Sequence, residues 1–239
     1  MILPQRKMMF KIIFSIIAAL GLASPASSEI LKVNYELEIE DYYTNGSMGC
    51  MMMRECTKDV VEVKSIKDVE DYQNSNHSLI ANEFNEVLKA INDVGVNVYV
   101  APQYYFLIGT RGVYYTDGNN IFLSGDMTKR SSSLLTTLRH EGWHAVQDCM
   151  AGDIENSFIA IVYPEDKVPQ HLQALSENKY KNNPGLLWEK EAHWMGHTEG
   201  GTVNALRACK GGRMWEVYKP TPLTRKFLIE KGFINAKNE

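Results

Sequence analysis

Three residues near the middle of the chain have the types and spacing to hold and use a metal ion. They are His140, Glu141 and His144, in the run from Leu134 to Met150, LLTTLRHEGWHAVQDCM. An α-helix turns about 100° per residue, so two histidines four apart lie about 40° from each other on one face. Two imidazoles can then grip a single ion. Glu141, one step round from the first, stands beside that ion, where a carboxylate can take a proton from water held at the metal. The flanking residues read as a helix that would position all three. Ser131 to Ser133 are N-cap candidates, Leu134, Leu135, Leu138, Val146 and Met150 form an apolar face, and Gly152 with Asp153 supplies a stop.

His-Glu-x-x-His on a helix resembles the motif of the zincin metallopeptidases, which directs attention to a third ligand. The metzincin branch continues with Gly and a third His, whereas here Gln147 and Met150 occupy those positions, so that branch is excluded. The gluzincin branch takes a Glu from a later helix, with Ala three residues on and a small polar residue at the fourth. The run Trp188 to His197, WEKEAHWMGH, is similar to that pattern: Glu189 is followed by Ala192 and His193. The resemblance implies Zn²⁺ held by His140, His144 and Glu189, with Glu141 as general base. It also implies that His193, which stands where an Asp usually accepts a hydrogen bond from the first ligand histidine, takes over that acceptor's part through one ring nitrogen. Glu191 is the competing third ligand, because a helix sets residues two apart about 200° round from each other and cannot aim both carboxylates at one ion.

Apart from these two helices, the chain offers elements of a sheet. Residues Ile30 to Ile39 alternate apolar and polar, the period of a half-buried strand, and Val60, Val61, Val63 and Ile66 suggest a second. Between Asn97 and Gly125 the segments VNVYVA, YYFLIG, GVYYT and IFLSG read as strands, the last two joined across the Asp117-Gly118 turn. In zincins a sheet precedes the active helix and its edge strand pairs with an extended peptide, and the resemblance implies the same here. Tyr104, Tyr105, Tyr114 and Tyr115 lie in this region, and packing is the main role expected of them. The spacing predicts a helix over Ser75 to Asn92, with His77 as a surface or capping residue at its start. Another is predicted from Pro169 to Tyr180, with His171 on the surface, after a break from the first ligand helix. A further helix carries Glu189 after the Asn182-Asn183-Pro184-Gly185 break and runs to Cys209, with a kink or early end near Gly200. Cys50 and Cys56 bracket three methionines, a cluster that suits core filling better than a soft metal.

Residues 1–28 read as a secretory signal: Arg6, Lys7 and Lys11 precede or open an apolar run of about a dozen residues, with small residues allowing cleavage after Ala26 or after Ser28. That run falls short of the ~20 residues needed to span hydrocarbon, so no stable membrane anchor is expected after cleavage, and the product is secreted or periplasmic. Losing residues 1–28 removes three positive charges and no negative ones, which moves the formal net charge from −4 to −7. So acidic a surface disfavours nucleic acid as partner or substrate. Four cysteines in an oxidising compartment favour two disulfides. Of three possible pairings, Cys50 with Cys56 closes a short local loop, which leaves Cys149 with Cys209.

Together these features predict a mixed α+β fold over residues 29–239, with an antiparallel or mixed sheet packed on an active-site helix and a second ligand-bearing helix. The expected activity is hydrolysis of a peptide or protein substrate by metal-activated water. A zincin-like zinc-binding protein that grips a partner or surface without cleaving it is the alternative, against which the intact Glu141 argues.

Overall fold

Among the described residues a four-stranded sheet and the helix Ser131–Met150 face each other across the main core, and the helix that carries Glu189 packs against that helix. The computed structural model describes residues 46–235, apart from 153, 155–157 and 180–184. The signal segment 1–28, the strand expected at Ile30–Ile39, and Asn45, Asp153 and Asn182 to Pro184 from the expected turns and stops lie outside the described residues.

The elements, in chain order, are α1 (Ser47–Met52), β1 (Val61–Glu62), α2 (Ile66–Gln73), α3 (Ala81–Asp93), β2 (Asn97–Ala101), β3 (Gly112–Tyr115), β4 (Asn120–Ser124), α4 (Ser131–Met150), α5 (Gln170–Lys179), α6 (Leu186–Gly196), α7 (Gly201–Lys210), α8 (Met214–Val217) and α9 (Pro222–Glu230). The strand order is β1-β2-β4-β3. Strands β1 and β2 run antiparallel, β2 and β4 parallel with Tyr99 opposite Phe122, and β3 and β4 antiparallel with Val113 opposite Phe122. The sheet is therefore mixed and the fold is α+β.

Side-chain alternation along each strand divides the apolar residues between two cores. Val98, Val100, Ile121 and Leu123 point toward the helices, where they meet Phe84, Leu88 and Ile91 of α3 and Leu134, Leu138 and Trp143 of α4. Tyr99, Ala101, Val113 and Phe122 point the other way, onto Met48, Met51 and Met52 of α1. Tyr99 and Phe122 stack there at 5.2 Å. The methionine-rich stretch is thus the lid of a small second core, as its unbranched, adaptable side chains suit.

Several local expectations change. Only Val61–Glu62 forms the second predicted strand, and Ile66 instead opens α2. The cause is a capping box: the Asp68 carboxylate accepts hydrogen bonds from the backbone N–H groups of Ser65 and Lys64, both 2.8 Å long, which starts a helix where alternation alone suggested a strand. YYFLIG is not a strand either. After Pro102 the chain makes a 3₁₀ turn over Gln103–Tyr105, burying Tyr105 and Phe106 in the second core and leaving Ile108 fully exposed. The Ser75–Asn92 helix begins only at Ala81, after a 3₁₀ turn over Ser78–Ile80. His77 is corrected from surface to core, being 1 % exposed. Its Nδ1 lies 2.8 Å from Ser131 Oγ, and its Nε2 lies 2.8 Å from Gln73 Oε1 and 2.9 Å from Ser75 Oγ, so the ring bolts the end of α2 to the start of α4.

The serines at 131–133 form the first turn of α4 instead of capping it; Arg130 is the cap position. The long Glu189 helix is two helices, α6 and α7, parted at Thr198 to Gly200, with Gly200 left-handed at φ 72°. Both cysteine pairs are bonded as expected, Cys50 to Cys56 and Cys149 to Cys209. Because Cys209 lies on α7, the second bridge joins α4 to α7 and does not reach the Glu189 helix itself. Two disulfides fit folding in an oxidising environment, extracellular or periplasmic. Among the described residues no helix is long and apolar enough to cross a membrane.

Candidate metal centre

Helix α4 supplies His140, Glu141 and His144, and α6 crosses it to supply Glu189. The crossing is close because Gly196 of α6 has no side chain: a Cβ there would sit 3.0 Å from the Thr136 carbonyl oxygen and 3.4 Å from His140 Cβ. Behind α4, Arg139 donates from Nε to Glu83 Oε1 of α3 at 2.8 Å, and its carbonyl accepts from Thr202 Oγ1 of α7 at 2.9 Å. The turn bearing His140 is thereby held from three sides.

His140 Nε2 lies 3.3 Å from Glu189 Oε2, and His144 Nε2 lies 3.6 Å from Glu189 Oε1. The two rings meet edge to face with centroids 5.0 Å apart. Among the described residues, His140, His144 and Glu189 are the one group whose three ligand atoms fall within 4.8 Å of one another. A tetrahedral ion with bonds of about 2.1 Å sets its ligand atoms about 3.4 Å apart, a spacing that each histidine has to one of the two Glu189 oxygens. Two imidazoles and a carboxylate also form a donor set that suits a borderline divalent metal. The residues fit a bound ion.

Glu141 is 6 % exposed and packs against the edge strand. A Cβ on Gly112 of β3 would lie 2.9 Å from both Glu141 Cγ and Oε1. The carboxylate therefore lies against β3. Among the described residues β4, the strand immediately preceding α4, is internal, so the edge that passes this site belongs to β3.

The competing carboxylate, Glu191, faces elsewhere. It is 1 % exposed and accepts hydrogen bonds from Trp143 Nε1 (3.3 Å), Gln147 Nε2 (2.8 Å), Val162 N (2.9 Å) and Tyr163 N (2.5 Å). Burial pushes its carboxyl up to about 7, and those donors pull the other way. Gln147 escaped notice in the sequence except as a departure from the metzincin pattern, yet its Oε1 lies 2.8 Å from His144 Nδ1. The available signal was its position three residues beyond His144, on the same helix face.

His193 lies one turn beyond Glu189, its ring 5.0 Å from that of His197. With His171 of α5, the two line an open groove of about 420 Å³ whose apolar wall includes Leu172, Leu175 and Trp194. Desolvation, then the nearby Arg139 and His140, hold His197 below the ordinary histidine value. Two of the tyrosines pack as expected, Tyr114 donating to Asp148 Oδ2 at 2.7 Å and Tyr105 to the Lys58 carbonyl at 3.2 Å, whereas Tyr104 is exposed and donates to that carbonyl at 3.4 Å.

Comparisons of the chain with protein-family models, with characterised proteins and with solved structures return no match.

Proposed function

We propose that the chain is a secreted zinc-dependent peptidase that resembles the gluzincins, with His140, His144 and Glu189 as ligands and Glu141 as general base. The observation that carries this reading is the position of Glu141, buried against the edge strand and one residue along α4 from a ligand. A metal site that served structure alone would have no use for that carboxylate. When bound, zinc supplies a Lewis acid that polarises a carbonyl and acidifies water.

The remaining work falls to the protein. Glu141 takes a proton from the attacking water and returns it to the leaving amine, a shuttle that needs one carboxylate facing both partners in turn. Among the described residues strand β3 ends the sheet, so an extended peptide can add alongside it and present its scissile bond above α4. The partly buried ligand set, with side chains 11–18 % exposed, limits how much bulk water competes at the site.

The decisive experiment measures zinc by native mass spectrometry and turnover on denatured casein, with and without chelator. One zinc per chain and chelator-sensitive cleavage are expected, and Glu141→Gln should keep the zinc while losing cleavage by a factor of at least about 100. Equal turnover in that variant removes Glu141 from the mechanism. Zinc uptake with no cleavage of any substrate tried would favour a metal-holding partner-binding protein instead.

A further inference from the structure

We infer that Gln147 and Glu191 are positioning residues that fix the tautomer and aim of His144. This inference rests on the proposed metal site but concerns groups that do not touch the ion.

Gln147 is wholly buried, so its amide has no water with which to exchange roles. Its nitrogen lies 3.1 Å from the Trp188 carbonyl oxygen, which can only accept, and 2.8 Å from Glu191 Oε2. Glu191 already accepts two backbone N–H groups, from Val162 and Tyr163, and the Trp143 indole N–H. Two acceptors on one side force the amide nitrogen to stay there, and the amide oxygen must face His144. A carbonyl oxygen at 2.8 Å requires a hydrogen on Nδ1. In the neutral ring the lone pair of His144 is consequently on Nε2, the atom that faces Glu189 at 3.6 Å.

The chain of bonds therefore runs from the 162–163 backbone through Glu191 and Gln147 to His144. It crosses from α6 to α4 inside the core, where Gln147 and Glu191 are almost wholly buried and the His144 side chain is 11 % exposed. A ligand imidazole whose other nitrogen is held this way is turned toward the ion before the ion arrives, and it is a stronger base once there. Glu191, the rival for third ligand, thus serves the site from behind.

The test compares wild type with Gln147→Met, which keeps length and removes both hydrogen-bonding groups, and with Glu191→Gln, which keeps volume and removes an acceptor. Zinc affinity is read by competition with a chromophoric chelator, and the His144 ring N–H is followed by ¹⁵N NMR on zinc-free protein. In wild type, a single slowly exchanging Nδ1–H is expected. In each variant that signal should broaden or vanish and zinc binding should weaken about 10- to 100-fold, while near-ultraviolet circular dichroism shows the fold retained. Unchanged zinc affinity in whichever variant folds, or a wild-type His144 protonated on Nε2, overturns the relay. Wild type that binds no zinc while showing the Nδ1–H signal would instead remove the metal-site reading and leave the hydrogen-bond assignment standing.

Discussion

Two acidic side chains on one helix, two residues apart, have opposite fates. Glu189 reaches the histidine pair, and Glu191 turns into the core to collect four N–H donors. Glu189→Ala should then weaken zinc binding by more than about 100-fold with little change in folding, because one of three protein ligands is lost. Glu191→Ala should cost on the order of 3 kcal/mol of stability, since it orphans buried donors. Paired chelator titration and urea denaturation separate the two, and the reverse ranking for zinc would move the ligand to Glu191. His77 gives a pH dependence of known sign. Burial lowers its value below the ordinary 6.5, with Glu70 opposing weakly, so the unfolded chain takes up the proton first as pH falls. Its contribution is present above about pH 6.5 and fades as pH drops through the lower folded value. Urea melts of His77→Asn should therefore show a larger loss relative to wild type at pH 7.5 than at pH 5.5. A gap that widens on acidification would contradict this.

At the level of elements, the site depends on how closely β3 and α6 approach α4. Gly112 carries the first of these contacts. Its absent Cβ leaves room for Thr137 Cγ2, which would otherwise be 2.8 Å away, and for the Glu141 side chain at 2.9 Å. Gly112→Ala should push Glu141 off its line or shift the edge strand, while the ligand atoms on α4 and α6 stay where they are. The expected result is a cleavage rate at least about 10-fold lower with zinc content unchanged, the signature of a displaced base. Loss of zinc in parallel with activity would show instead that the strand supports the ligand helix. The element boundaries carry the same message, since α2 begins at a capping box and α7 begins after Gly200, left-handed at its N-cap position.

Across the whole molecule the two disulfides differ in what they constrain. The bridge Cys149 to Cys209 spans 60 residues and joins the end of α4 to α7, whereas Cys50 to Cys56 spans only 6. In the chain-entropy account the longer loop contributes about 4 kcal/mol and the shorter about 2 kcal/mol. Replacing Cys149 and Cys209 by Ser should thus lower stability roughly twice as much as replacing the other pair. The loss should be visible as a lower midpoint in guanidinium at matched conditions. Zinc should raise that midpoint, since an ion bound only by the folded state stabilises it by mass action. Equal losses from the two double variants would show that the reference unfolded chain is already constrained near one bridge.

The sequence by itself carried whatever depends on spacing along one element. His140 and His144 share a face because they are four apart on a helix, Glu141 falls beside them, and the apolar periodicity around Leu134 to Met150 marks that helix. The cysteine pairing was legible too, because one pair is local. Other features depended on what arrives from elsewhere in the chain. The motif's spacing favoured Glu189 over Glu191 without deciding between them, since the choice follows from where α4 and the 161–163 segment lie against α6. That His77 is buried was not legible because its partners include Ser131, far along the chain, and Gln147 looked like a mere departure because its partners include residues of α6. YYFLIG had strand composition, but Pro102 and the demand of a second core for Tyr105 and Phe106 made it a turn. Alternation and helical period are properties of a segment, whereas burial and hydrogen-bond partners are properties of the packed chain, and the tertiary structure decided those.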